Sequence, residues 1–343
     1  MTTPIQTCLH RLARKETLDQ SLLQQAFENL LSGDVPAEQV GAFLMGLAVR
    51  GETGQELLAG ATVMRSQART INLPGKVLDT CGTGGLGWKS LNTSTASAIV
   101  VASCGGKVAK HGNRSVPPKT GSADVLEALG VSIEVGEEGF HRCIDEVGVG
   151  FLFARSHHPA MRHVAPIRAS LGIRTIFNLL GPLSNPAHAT HQILGVYDSH
   201  WLVPMAEALR DLGIERAWVV HGTKVDDRAI DELSIAGETK VVAVENGDLN
   251  SFSIHPEDIG MNRTPLSSLE GGSPDDNTDA MLRLFDGEPS AFLDAVALNA
   301  GAGLYLLGLS STLEDGIAKS KDALDSGKAK QTLQHLIAVS QSG

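Results

Sequence analysis

The sequence predicts an α/β protein, built as a small all-helical domain plus a large α/β domain with a mostly parallel central sheet. Three observations carry this expectation. Residues 1–68 place apolar side chains at helical spacing and show no strand-like alternation. The segment "RTINLPGK" then breaks the pattern with Pro74 and Gly75. Beyond it, short apolar runs alternate with helical ones, the order that yields parallel strands covered by helices.

Each element has its own signal. Leu18, Leu22, Ala26 and Leu30 recur one turn apart before Gly33 stops the helix. "VPAEQVGAFLMGLAVRG" is a second helix, with Pro36 near its start and Gly51 past its end, and "TGQE" at 53–56 is a capping box for the next. After the linker, "KVLD" predicts a strand, "STASAIVVASCG" a helix and "KVAK" a second strand. "SADVLEALG" is a helix ended by Gly130, and "SIEV" is expected as a third strand. "EGFHRCIDEVG" and "GFLFA" continue the alternation, and "HPAMRHVAPIRASLG" reads as a helix. "HQILGVYD", "RAWVVHG" and "TKVVAV" supply later strands, and from about Pro274 the chain returns to helices. The run "LDAVALNAGAGLYLLGL" at 293–309 falls short of the ~18–20 residues of a membrane span and contains Asp294 and Asn299. It is expected as a buried helix whose small residues allow close packing.

Bulk properties narrow the function. A chain of 343 residues, 42% hydrophobic and 20% charged, suits an ordinary globular protein large enough for two domains. The net charge of −11 lacks the basic footprint of a polynucleotide binder, so neither a nucleic acid nor a membrane is expected as partner. Small anions stay open, because a few cations and backbone amides suffice to hold them. Cys8, Cys81, Cys104 and Cys143 are scattered without C-x-x-C spacing, which argues against zinc. With no apolar leader-like run at its start, the chain is expected to keep reduced thiols in the cytoplasm.

The stretch "CGTGGLGWKSLNTST" at 81–95 almost matches two phosphate-binding patterns and fits neither. A dinucleotide fingerprint needs its last glycine to open the helix and an acid about 20 residues on. Here "WKSLN" intervenes, and the next strand ends in Lys110. A P-loop needs Lys directly after Gly, and Trp88 separates Gly87 from Lys89. Four glycines with Ser90, Asn92, Ser94 and Thr95 nevertheless crowd a strand-to-helix junction, where free amides attract anions. A second polar cluster, "KHGNRSVPPKTGSAD" at 110–124, follows the next strand with Lys110, His111, Asn113, Arg114, Ser115, Lys119 and Ser122. Two adjacent loops of this kind at strand C-termini suit a ligand with two separated phosphate groups.

These segments, with "HHPAMRHVAPIR" at 157–168, "LGIRTIFNLLGPLSNPA" at 171–187, "DELS" at 231–234 and "ALNAGAGLYL" near 300, resemble the anthranilate phosphoribosyltransferase family almost end to end. That family shares its architecture with pyrimidine nucleoside phosphorylases. The resemblance implies a helical domain over 1–72 with a returning segment at about 173–190, and a large domain over 73–172 and 191–343. It implies transfer of phosphoribose from phosphoribosyl diphosphate to the amine of anthranilate in tryptophan biosynthesis, with Mg²⁺ and a homodimer. Gly82, Thr83, Gly84, Gly85, Ser90, Asn92, Ser94, Thr95, Lys110, Lys119 and Ser122 match the phosphoribosyl diphosphate positions, Lys119 lying in a loop that closes over substrate. Asp231 and Glu232, with Ser94, match the metal ligands. Gly82, Asn113, His158, Arg168 and Pro182 match the acceptor path, where the Arg168 fork suits a carboxylate. No covalent nucleophile is implied.

The chain departs from the family pattern at one end. Leu86 stands where an Asp is usual after "GTGG", bulky Trp88 and Lys89 follow, and Pro117–Pro118 replace small polar residues in the closing loop. Lys89 offers itself as a direct phosphate contact. Two other readings therefore stay open: a paralogue using another aromatic or heterocyclic acceptor, and a non-catalytic ligand-binding paralogue.

Overall fold

The computed structural model describes residues 2–115 and 120–342. Pro117, Pro118 and Lys119 lie outside the described residues. Four helices come first: α1 (Pro4–Ala13), α2 (Gln20–Ser32), α3 (Ala37–Arg50) and α4 (Gly54–Ser66). Their ends are set by local chemistry. Thr3 with Gln6 and Thr53 with Glu56 form capping boxes, and Asp19 accepts from Leu22 N at 2.9 Å. Gly33 closes α2 at φ 88°, a left-handed turn that costs other residues strain. The apolar faces meet around Phe27, edge-on to Phe43 at 5.8 Å and to Phe177 at 6.3 Å.

The rest alternates strands with helices. In chain order these are β1 (Leu78–Gly82), α5 (Thr93–Ser103), β2 (Val108–Gly112), α6 (Ser122–Ala128), α7 (Gly136–Arg142) and β3 (Val149–Phe153). Then follow α8 (Ala154–His157), α9 (Ala165–Leu171), α10 (Phe177–Leu180), β4 (His191–Gly195), α11 (Leu202–Asp211) and β5 (Arg216–Val225). Short β6 (Arg228–Ile230), β7 (Thr239–Glu245) and β8 (Asp248–Ile254) precede α12 (Pro274–Phe285), α13 (Ala291–Leu307), α14 (Leu313–Asp325) and α15 (Lys328–Gln341).

The sheet runs β3-β2-β1-β4-β5-β7-β8, with β6 beside β5. From β3 to β5 the pairs are parallel, and β3 and β4 are buried along their whole length, as parallel strands under two helical layers must be. The last three strands run antiparallel. The β5–β6 and β7–β8 links allow nothing else. Asp226–Asp227 and Asn246–Gly247 are two-residue turns with positive φ, too short for a crossover.

Helix α13 is the buried apolar helix expected from the sequence, and its glycines lie where neighbours come closest. Gly301 faces the Gly316–Ile317 backbone of α14, and Gly303 faces Leu78 and Val101. Among the described residues no helix is long and apolar enough to cross a membrane. The other sheet face packs α4 and α11 against Leu194, Val219 and Val242, so the N-terminal helices and the sheet share one apolar cluster. The 177–183 segment joins it: Leu180 lies over Gly60, and Arg65 Nε donates to Leu183 O at 2.7 Å.

Two expectations fail. "SIEV" is not a strand: Ser132 N donates to Ser340 Oγ at 3.0 Å, so the segment docks on α15, and β3 forms the sheet edge. "HPAMRHVAPIRASLG" is not one helix. Pro159 opens a 3₁₀ turn to His163, and α9 begins anew at Ala165, because a proline without N–H interrupts the helical ladder.

Candidate active site

In the parallel half of the sheet Gly82 pairs with Gly195, and Gly195 with Val220, so the loops after β1, β2, β3 and β4 emerge along one edge. The glycines there make room for the turn at Asp231–Glu232. A Cβ on Gly195 would run into the Asp231 backbone, and one on Gly82 into Asp231 Oδ2. The turn is held from below by α13: Asn299 Oδ1 accepts from Leu233 N, and its Nδ2 donates to Leu233 O, both at 3.0 Å. The lone Asn in an apolar run thus positions the acidic pair, a role that the sequence reading missed.

The two carboxylates reach different parts of the glycine loop. Asp231 Oδ2 accepts from Gly84 N at 2.7 Å, and Glu232 Oε1 accepts from Ser94 N at 3.0 Å in the first turn of α5. Burial, then the neighbouring Asp231, pushes the Glu232 carboxyl up to about 8, and burial also raises Asp231. Glu232 Oε2 is shielded from solvent and has no partner. Lys110, buried in β2, donates from Nζ to Thr80 O and to Ser94 Oγ at 3.3 Å.

This corner fits a Mg²⁺ ion. Two buried carboxylates, one with an orphaned oxygen, are a donor set that a hard cation would stabilise. Among the described residues no three His, Cys, Asp or Glu side chains gather as a closed metal cage. That sparse set suits a hard ion that takes substrate oxygens and water as its other ligands.

The glycine loop differs in detail from the expected ring of phosphate-facing amides. Thr83 N donates to Gly195 O at 2.9 Å, and Gly84 N is held by Asp231. Thr83 Oγ1 accepts from Tyr197 N at 3.0 Å. Asn92 spends its amide on structure, donating to Thr120 O at 3.2 Å and accepting from Asn277 Nδ2 at 2.7 Å. Ser90 bridges to Glu270. Thr95 keeps a buried, unpartnered Oγ1. The unexpected apolar residues of the loop are half-buried: Trp88 Nε1 donates to Ala229 O at 2.8 Å, and Leu86 and Trp88 pack on the apolar core. Lys89 O accepts from Gly271 N at 3.0 Å, anchoring the loop to the 268–272 segment. Behind that segment a cavity of about 470 Å³ carries Glu270, Asp276, Asp279 and Glu288 against a single Arg283, the wrong sign for a phosphate.

In the second loop Asp124 Oδ2 ties the ends together, accepting from Ser115 N at 3.0 Å and Gly121 N at 2.8 Å. Ser122 Oγ lies against Gly112, and exposed Asn113 accepts from Arg114 N at 2.8 Å.

Of the residues expected along an acceptor path, His158 lies against His111 near the end of β2. The rings of His111 and His158 sit 5.1 Å apart, both buried, each with an unpartnered Nε2. Burial pulls His158 down to about 4 and His111 well below its usual range, so both are neutral at pH 7. Pro182 is buried, and its carbonyl accepts from Gln192 Nε2 at 2.7 Å. Arg168 lies over the Phe177 ring at 5.4 Å and donates to Asn178 Oδ1 at 3.5 Å. Asn178 Oδ1 also accepts from Thr175 N at 3.0 Å. One residue earlier, Arg174 Nη1 donates to Gly84 O at 3.0 Å. One short segment thus links the two arginines: Asn178 meets Arg168, and Arg174 reaches the glycine loop. Arg174 was not singled out from sequence, although it stands inside the quoted "LGIRTIFN".

The chain matches the glycosyl transferase family helical bundle domain over residues 6–68 and the glycosyl transferase family a/b domain over 74–330. It is 56% identical over 337 residues to an anthranilate phosphoribosyltransferase from Hyphomonas neptunium, covering 98% of each chain. The crystal structure of anthranilate phosphoribosyltransferase from Thermus thermophilus is similar at a TM-score of 0.90 and 43% identity, over 98% of this chain and 99% of that one. A Saccharomyces cerevisiae anthranilate phosphoribosyltransferase solved in complex with PRPP and Mg is similar at a TM-score of 0.88 and 25% identity, over 99% of this chain and 98% of that one.

Proposed function

The chain belongs to the anthranilate phosphoribosyltransferase family, and we infer from that premise how its site works. It transfers phosphoribose from phosphoribosyl diphosphate to the amine of anthranilate and releases diphosphate, with Mg²⁺, in tryptophan biosynthesis. A bond forms between the amine nitrogen and the ribose C1′ as the C1′–O bond to diphosphate breaks. The leaving diphosphate keeps the electron pair, and the amine gives up a proton. The single observation supporting our residue assignment is the arrangement around the strand ends: a buried acidic pair at the glycine loop, with neutral histidines and an arginine at the neighbouring acceptor side.

In this reading Asp231 and Glu232, with Ser94, hold the Mg²⁺, which when bound neutralises charge on the diphosphate. Gly82 to Gly85, Ser90, Asn92, Thr95 and Ser122 shape the pocket for phosphoribosyl diphosphate, and Lys110 supplies a cation beside Ser94. Lys119 is assigned to the same ligand from the sequence alone. Arg168 takes the anthranilate carboxylate as a fork, and His158, Asn113, Pro182 and Gly82 guide the ring. Unprotonated His111 and His158 suit an aromatic acid, because neutral imidazoles neither trap its carboxylate nor protonate its amine. No residue acts as nucleophile. Rate comes from positioning, charge neutralisation and exclusion of water. We also propose the division into domains at about residue 72, with 173–190 returning to the helical unit, a homodimer, and residence in the cytoplasm, which four free thiols suit. Mass analysis of the product from the three components tests the reading. An N-linked phosphoribosyl anthranilate is expected, and its absence in active buffer conditions removes the assignment.

A further inference from the structure

The cationic groups at the glycine loop are not all accounted for by the roles above. Lys110 is committed to Thr80 O and Ser94 Oγ. Arg174 is placed differently. Nη1 donates to Gly84 O at 3.0 Å, and the guanidinium lies 3.7 Å from the centroid of the Tyr197 ring. The ring is itself fixed: Trp201 Nε1 donates to the Tyr197 hydroxyl at 2.8 Å, and Tyr197 N donates to Thr83 Oγ1 at 3.0 Å. Arg174 Nη2 is shielded from water and unpartnered, and among the described residues no carboxylate lies within salt-bridge range of Arg174.

Arg174 also explains part of the loop's sequence. A Cβ on Gly85 would run into Nη1, so only glycine lets the guanidinium lie on this turn. Gly84 is held through both of its backbone groups, its N–H by Asp231 and its carbonyl by Arg174. A planar fork with one N–H tethered and another buried without an acceptor is a preorganised anion donor. It borders the same turn as the acidic pair, so the charge it would meet is that of the diphosphate.

We propose that Arg174 is a further substrate-contacting residue, whose tethered guanidinium donates Nη2–H to a diphosphate oxygen of phosphoribosyl diphosphate held at the Gly84–Gly85 turn. This rests on the phosphoribosyl-transfer reading above.

The test compares wild type with Arg174→Gln and Arg174→Lys. Each is assayed by steady-state kinetics with either substrate varied, by calorimetry with inorganic diphosphate and Mg²⁺, and by thermal melting. KM for phosphoribosyl diphosphate and Kd for diphosphate are expected to rise by about tenfold or more in Arg174→Gln, the loss typical of a charge-assisted hydrogen bond. Arg174→Lys recovers part of it, since a point charge replaces the fork. The anthranilate KM stays unchanged. Unaltered diphosphate affinity overturns the proposal, as does an equal loss for both substrates with a lowered melting temperature, which marks a structural tether alone. Should Arg174→Gln not fold, Arg174→Lys decides by the same split. If wild type binds diphosphate but does not turn over anthranilate, the transfer reading falls, while loss of diphosphate binding in the variants still upholds Arg174.

Discussion

The Gly84–Gly85 turn permits a perturbation that separates backbone strain from the loss of Arg174. Both residues have left-handed backbone, φ 64° and 85°. Alanine at either costs ~1–2 kcal/mol in that conformation. Their surroundings differ. A Cβ at Gly84 meets nothing within 4 Å, whereas one at Gly85 occupies the place of Arg174 Nη1. Gly85→Ala must therefore expel the guanidinium from Gly84 O and from the Tyr197 ring, and Gly84→Ala need not. A charge-assisted hydrogen bond contributes about 1.5–3 kcal/mol, so Gly85→Ala is expected to lose about 10- to 150-fold more kcat/KM for phosphoribosyl diphosphate than Gly84→Ala. The assay is the initial rate of anthranilate fluorescence loss at saturating anthranilate and Mg²⁺, with phosphoribosyl diphosphate varied. Equal losses in the two variants would refute the reasoning, because strain alone would then explain both.

Arg168→Ala is expected to raise the anthranilate KM by about 10- to 150-fold with little change for phosphoribosyl diphosphate, measured by varying each substrate in turn. Asp231→Asn with Glu232→Gln should keep the fold by circular dichroism but lose the Mg²⁺ dependence of turnover, because amides retain shape without charge; Mg²⁺-stimulated activity at the wild-type level would contradict the assignment. Trp88→Leu should lower stability by ~1–2 kcal/mol through the lost Ala229 bond and core contact, and leave the KM for phosphoribosyl diphosphate unchanged. A raised KM with unaltered melting would put Trp88 at the ligand instead.

Much of the architecture was legible in the sequence because local signals agreed with the fold. The Thr53–Glu56 box, the Gly33 stop and the strand–helix alternation after residue 75 each have a short-range cause. The misses have long-range causes. "SIEV" has strand-like composition, but Ser132 finds its partner in Ser340, 208 residues away in sequence. The acidic pair gained meaning from the resemblance, since a lone Asp-Glu pair is ordinarily solvated surface. Its positioning by Asn299 and the glycines at 82 and 195 emerges only when three distant segments meet. Arg174 was invisible for the same reason: nothing within "LGIRTIFN" says which arginine face reaches Gly84. Trp88, read from sequence as part of a change at the phosphate, finds a partner 141 residues away at Ala229 O, and both it and Leu86 pack on the apolar core.

The most direct measurement of the central claim is the fluorescence of anthranilate in the presence of the protein, phosphoribosyl diphosphate and Mg²⁺, with each component omitted in turn and released diphosphate counted. Complete mixtures are expected to lose fluorescence with one diphosphate released per anthranilate consumed, and no mixture lacking the protein or phosphoribosyl diphosphate should do so. Stable fluorescence in the complete mixture, or diphosphate released without loss of anthranilate, would contradict transfer to this acceptor.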